Sequence, residues 1–176
     1  MHELATYNPT NLDFWVDILK LKKISNPQIG LFMFPEQMIA FLRQARELGL
    51  KANYFGIDLC ETAAMLSNGS GLLDGCLYSD NDVSPEFRAK YRSTFKEETL
   101  LTFAGSAYDQ SLLIADLLGK AQAFSAENFL SAMSQVSNRP GVLGKFSYQE
   151  ITGVGKFFEY PIHVKKVVGP RGVAIH

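Results

Sequence analysis

Apolar residues recur along this chain with two different spacings, and each change of spacing marks an element. Gln28-Ile29-Gly30-Leu31-Phe32-Met33-Phe34 carries almost no polar side chain after its first residue. A strand that reads apolar without alternation is buried on both faces, which predicts a place in the middle of a mostly parallel sheet. Pro35 stops that strand and suits the first turn of a helix, where its missing N–H costs nothing. Met38, Phe41, Leu42, Ala45 and Leu48 follow at helical spacing, and Gly49 closes the helix. Asn53-Tyr54-Phe55-Gly56 reads as a second strand leading into Ile57-Asp58. Strand, helix, strand over about thirty residues is a βαβ unit with a right-handed crossover. Both strands then end, near Phe34 and Asp58, on one edge of the sheet, the edge where open α/β sheets bind ligands.

The flanking segments extend this pattern. Asn8-Pro9-Thr10-Asn11 is a turn with Thr10 or Asn11 as N-cap, and the helix it starts is expected to bury Leu12, Trp15, Val16 and Leu19, with Phe14, Ile18 and Leu21 widening the stripe. Glu61 to Leu66 reads as a short helix, Ser67 to Gly71 as a loop, and Gly75 to Tyr78 as a third strand, with the polar Ser79 to Val83 leaving the sheet. Ser84-Pro85-Glu86 signals a helix start, and Phe87, Tyr91 and Phe95 give that helix an aromatic face. A longer helix over Phe103 to Ala121 is expected to bury Tyr108, Leu112, Ile114, Ala115 and Leu118. Ser125 caps another, with Phe129, Leu130, Met133 and Val136 inward. From Gly144 onward, mixed alternation between Gly-rich turns predicts strands.

Composition narrows the function classes. At 176 residues, 47% hydrophobic and 20% charged, the chain is long enough for one well-cored domain and short for two. A net charge of −1 offers no electrostatic footprint for nucleic acid. No stretch is apolar for the roughly 18 residues of a membrane span, and the N-terminal residues Met1 to Tyr7 lack the basic start and apolar core of a secretory signal. Cys60 and Cys76 have neither metal nor redox-motif spacing and read as buried thiols; whether they pair is open at this level.

Chemistry-bearing patterns are sparse. Gly69, Gly71 and Gly75 imitate a dinucleotide fingerprint, but they follow a helix and the third glycine is one residue late. The three histidines lie near the chain ends in unrelated contexts, and no Walker lysine or nucleophile elbow is present. No cofactor, metal or catalytic residue is expected. Four residues at the ligand edge stand out. Asp58 either caps the following helix or holds a cationic group through a charge-assisted hydrogen bond. Phe34 either closes the core or forms the aromatic wall of a pocket. Glu36 either caps its own helix or faces the crevice. Tyr78, ending the third strand, is expected to show its hydroxyl to the same crevice.

Taken in order, Asp13-Phe14, Leu19-Lys20-Leu21-Lys22, the Gln28–Phe34 run, Phe41 to Leu50, Gly56-Ile57-Asp58, Phe103-Ala104, Ala107-Tyr108-Asp109 and the Gly141–Val168 segment resemble a type I periplasmic binding protein. The nearest branch is the branched-chain amino acid (Leu/Ile/Val) binding proteins of ABC transporters. The resemblance implies a three-layer α/β/α fold with a mostly parallel sheet, of which this chain would be the C-terminal lobe plus helices of the other lobe. Residues 1–80 would be a lobe-two segment, 81–140 helices of lobe one, and 141–176 closing strands returning to lobe two. It further implies a non-enzymatic solute-binding component that closes on an amino acid or similar polar solute, delivers it to a permease and resides in the periplasm or outside the cell. A ligand-sensing regulatory domain of the same fold is the alternative role. The family's acidic receptor for the ammonium falls on Asp58, and its aromatic near Phe34, where tyrosine is usual. Helices shaped to cover an absent sheet would expose apolar surface, implying a homodimer through them or a longer chain.

Overall fold

Gln28–Leu31 (β1) and Asn53–Gly56 (β2) pair in parallel with Leu31 opposite Gly56, and Pro35–Glu47 (α2) crosses between them. The computed structural model describes residues 7–8, 10–62, 65, 71–96, 98, 100–120, 125–169 and 171–175. Leu77–Asp80 (β3) pairs in parallel with β2, placing Tyr78 opposite Gly56. His163–Val168 (β7) and Arg171–Ala174 (β8) then add antiparallel strands, giving the order β1-β2-β3-β7-β8. β3 runs two residues past its expected end at Tyr78, because Ser79 and Asp80 pair with Val164 and His163. Half of the Glu61–Leu66 helix and most of the Ser67–Gly71 loop lie outside the described residues, as does Ala121.

β1 stands at the edge of this sheet, not in its middle, with β2 its single neighbour among the described residues. The apolar run misled because it is not one strand. Pairing stops at Leu31, and Phe32 to Phe34 form the loop into α2. Unbroken apolarity therefore joined four strand residues to three loop residues that follow no pleat.

Trp15–Leu21 (α1) also starts later and faces differently than expected. Phe14, Ile18 and Leu21 are buried, whereas Leu12, Trp15, Val16 and Leu19 are exposed. Two glutamines of α2 impose this rotation. Gln44 accepts from the Phe14 N–H at 2.8 Å and donates to the Leu12 carbonyl at 2.7 Å. Buried Gln37 donates to the Asn8 and Asn11 carbonyls at 2.9 and 3.2 Å. Neither Thr10 nor Asn11 caps the helix; Asp13 Oδ1 accepts from the Trp15 N–H instead. Phe14 then packs edge-to-face on Phe41, and the core continues through Leu31, Met38, Leu42 and Leu73.

The chain divides into two compact units, one of residues 1–80 with 163–176, the other of 81–162. The closing stretch 141–176 is thus split. Its last two strands hydrogen-bond to β3 or to each other, while the strands before them pair among themselves. The second unit holds Pro85–Phe95 (α3), Leu101–Lys120 (α4), Ala126–Ser134 (α5) and the antiparallel strands Arg139–Gly141 (β4), Gly144–Ile151 (β5) and Gly155–Glu159 (β6). Ser84 and Ser125 cap α3 and α5 as expected, accepting from the Phe87 and Asn128 N–H groups. The aromatic face of α3 forms too, with Tyr91 and Phe95 ring centroids 4.7 Å apart.

α4 buries a narrower face than its sequence suggests. Leu101, Asp109 and Leu113 point inward, while Tyr108, Leu112, Ile114 and Leu118 are exposed. The buried Asp109 carboxylate sets this face by accepting from the Val142 and Leu143 N–H groups at 2.8 and 3.3 Å. Gly141 leaves the room, since a side chain there would overlap that carboxylate. α5 buries no residue fully, and Leu130, expected inward, is exposed.

The two faces of α1 offer a direct check. Ile18 has 0% of its surface exposed and Val16 66%. Ile18→Ala should cost about 2–5 kcal/mol in urea unfolding, and Val16→Ala should stay within about 0.5 kcal/mol of wild type.

Candidate functional site

The parallel register of β1, β2 and β3 sends all three carboxyl ends to the same edge of the first unit's sheet. Phe32 and Phe34 leave β1 there, and both are exposed. Phe32 meets Phe55 edge-to-face with centroids 6.1 Å apart. Gly30 is required beneath this pair, because a Cβ would stand 2.7 Å from the Phe32 ring. Phe34, 56% exposed, precedes α2 in an extended conformation. It does not close the core. Glu36 lies in the first turn of α2, is exposed, and complements the helix dipole.

At the end of β2, Ile57 is extended and Asp58 opens a one-turn 3₁₀ helix, Asp58–Glu61. Asp58 is the first residue of that turn, and no side chain caps it. Its carboxylate is partly exposed and, among the described residues, accepts no hydrogen bond from a protein group. A carboxylate at the ligand edge, not consumed by capping, is available to a cation.

Tyr78 departs from expectation. It is 2% exposed, and its hydroxyl donates to Glu61 Oε2 at 2.8 Å instead of opening to a crevice. The final strand covers it, since a Cβ on Gly172 would overlap the hydroxyl. Burial, then the Glu61 carboxylate, drives the phenol well above its ordinary range.

Sequence reasoning passed over the group around Tyr78. Lys165, on β7 and 3% exposed, directs its ammonium to Glu61 Oε2 at 3.0 Å and to Asp80 Oδ2 at 3.5 Å. Tyr78 pairs with Lys165 across the antiparallel ladder, and Asp80 is two residues further along β3. The available signal was a lysine at an inward position of the alternating His163–Val168 strand, whose burial runs exposed, exposed, buried, exposed, buried, exposed. Among the described residues, Asp58 adds a third acidic side chain to this edge beside Glu61, Asp80 and the Lys165 ammonium.

A second indentation, of about 710 Å³, lies in the other unit along α3 and is lined by Asp82, Val83, Pro85, Arg88, Arg92 and Glu98 among others. Its charges satisfy one another: Arg88 reaches Glu98 at 3.1 Å and Asp82 at 3.7 Å, and Arg92 reaches Glu98 at 3.4 Å. That leaves it without a directed polar group for a ligand. Among the described residues, no group of three or more His, Cys, Asp or Glu could hold a metal ion.

Residues 4–156 match the family model described as periplasmic binding protein. No curated protein matches the chain. Similar solved structures include a leucine binding protein from Thermotoga maritima, at 16% identity and a TM-score of 0.79, covering 95% of this chain and 49% of that one. Another is a branched-chain amino acid transporter substrate binding protein from Streptococcus pneumoniae in complex with isoleucine, at 19% identity, TM-score 0.74, covering 94% and 48%. A third is an ABC transporter solute binding protein from R. palustris in complex with benzoate, at 14% identity, TM-score 0.72, covering 94% and 47%. The fold is the mixed α/β fold of these proteins, and the chain spans about half their length.

The buried ionic group makes two measurable demands. Lys165→Met removes the ammonium that Glu61 and Asp80 share and should cost about 3–5 kcal/mol in urea unfolding. The second concerns alkaline pH. The unfolded Tyr78 phenol titrates near 10, while the folded one holds its proton well above that, and Tyr160 is likewise pushed up to about 12, mainly by burial. Their stabilisation is complete below pH ~10 and is lost as pH rises through the folded values. The urea midpoint should fall between about pH 9.5 and 11.5, and fall less steeply in Tyr78→Phe.

Proposed function

We propose that this chain, which belongs to the periplasmic binding protein family, forms the C-terminal portion of an ABC importer's solute-binding component. It grips an amino acid or similar small polar solute by hinge closure, without transforming it, and hands it to a permease at the outer face of the membrane. The observation that carries this reading is the shared edge where exposed Phe34 stands beside β1 and partly exposed Asp58 beside β2. Asp58 would receive the ligand's ammonium and Phe34 would pack on its side chain, with Glu36 at the rim. Tyr78 would act from behind, holding Glu61 in place.

Two of the similar proteins carry ligands of different charge, isoleucine in one and benzoate in another. The partly exposed Asp58 carboxylate at this edge favours the first kind. An anion without a cationic group would meet Asp58 with like charge and without compensation. Contacts to the ligand's carboxylate would come from the half of the family fold beyond this chain's span.

The exposed Tyr108, Leu112, Ile114 and Leu118 of α4 and Leu130 of α5 support pairing with a second copy through these helices. Sedimentation velocity at micromolar concentration should then show a dimer that Leu112→Glu with Leu118→Glu converts to monomer; a monomeric wild type removes this part of the reading.

For the ligand itself, a thermal-shift panel of free and N-acetylated amino acids, extended to millimolar concentration, is the test. Free amino acids should raise Tm by a few degrees, since a ligand that binds only the folded state stabilises it by mass action. The N-acetylated forms should not. Asp58→Asn should lose about 10- to 100-fold in affinity with an unchanged melting profile without ligand. Equal shifts for free and acetylated ligands would remove the ammonium from the reading.

A further inference from the structure

Cys60 and Cys76 are both fully buried, both free, and both in the core of the first unit. Cys60 belongs to the turn that leaves β2, and its sulfur packs on Gly56, where a Cβ would stand 2.7 Å from it. Cys76 immediately precedes β3, whose Leu77 and Tyr78 pair with Phe55 and Gly56. The staggered register thus sets the approach to β3 beside the last residues of β2, from which the Cys60 turn departs. Each thiol influences the other within this core, Cys76 raising the Cys60 pKa and Cys60 lowering that of Cys76. Cys76 in turn donates to its neighbour's carbonyl, that of Leu77, at 3.6 Å. None of the functional roles above uses either sulfur.

We propose that Cys60 and Cys76 form a structural disulfide when the chain folds in an oxidising compartment, clamping residues 61–75 to the sheet. The setting rests on the exported location proposed above, but the bond itself rests only on the juxtaposed thiols. The oxidant is a disulfide, either of a dithiol oxidase or of oxidised glutathione. Cys76 as thiolate attacks one sulfur of that disulfide and releases the other as thiol. Cys60 as thiolate then attacks Cys76 Sγ, forming the Cys60–Cys76 bond and expelling the second oxidant thiol. Two electrons and two protons leave the pair and both reach the oxidant, which is reduced to two thiols. Because both sulfurs are inaccessible in the folded core, exchange precedes core closure. Side-chain rotation then brings them to the roughly 2.05 Å of a disulfide.

The full chain, refolded from urea with a mixture of reduced and oxidised glutathione, is trapped under denaturing conditions with N-ethylmaleimide and weighed intact. The expected product carries no maleimide, is lighter by two hydrogens and yields one peptide pair joining Cys60 to Cys76. Dithiothreitol should lower its Tm by roughly 5–10 °C. Cys60→Ala with Cys76→Ala should melt with the reduced wild type and ignore dithiothreitol. Two maleimides per cooperatively melting chain, glutathione adducts, or intermolecular bonds would each overturn the proposal. Such a result would leave the ammonium test untouched, just as loss of ligand binding would leave the disulfide standing.

Discussion

Parallel pairing of β1 with β2 is the constraint on which the rest of the structure depends. Two adjacent strands that point the same way cannot be joined by a tight turn, so the chain must cross the sheet through α2. The same geometry delivers Phe34 and Asp58 to one edge, although 23 residues lie between them in the sequence. Close approach at Gly56 maintains the pairing. The Leu31 carbonyl and the Cys60 sulfur occupy the space a side chain would need, and the next strand's Tyr78 lies opposite. The shared edge is therefore a consequence of backbone topology before any side chain is chosen for chemistry.

The charges at that edge divide into two groups. Glu61, Asp80 and Lys165 serve one another and Tyr78, in a region where an unpaired charge would be costly. Such an arrangement contributes modestly to net stability, because desolvation offsets much of the attraction. Its larger effect is to tie β3 to β7 and to the turn after β2, so that the backbone carrying Asp58 is held from behind. Asp58 is left outside this internal pairing. That separation makes it the better candidate for a ligand's cation than the paired acids around it.

The second unit presents a different balance. Its small core of Val83, Leu101 and Leu143 is supplemented by Phe87, Tyr91 and Tyr160. Its long helix commits one face to that core and one carboxylate, Asp109, to the β4–β5 turn. The opposite face of α4 remains apolar and open. A helix apolar over most of its perimeter is suited to burial on more than one side. The chain covers about half of the similar proteins, which gives that surplus apolarity a physical context.

Local chemistry was legible from residue order. Pro35 at a helix start acts through its fixed backbone angle, and Ser84 before Pro85 and Ser125 act through hydrogen bonds within a few residues, so their consequences can be read one stretch at a time. The βαβ unit was legible for the same reason, as was the placing of Phe34 and Asp58 on one edge. Orientation within an element was not. Which stripe of α1 or α4 turned inward depended on Gln44, Gln37 and Asp109, whose partners lie about 26 to 34 residues away along the chain. β1 became an edge strand and Tyr78 a buried support for Glu61 because strand order and the covering β8 are properties of the assembled sheet. The amino-acid sequence by itself determined most of the elements, the caps of α3 and α5 and the family likeness, since short-range sterics and hydrogen bonding decide those. Only the tertiary structure decided which faces are covered and which carboxylate stays open, because burial and charge pairing arise between segments distant in sequence.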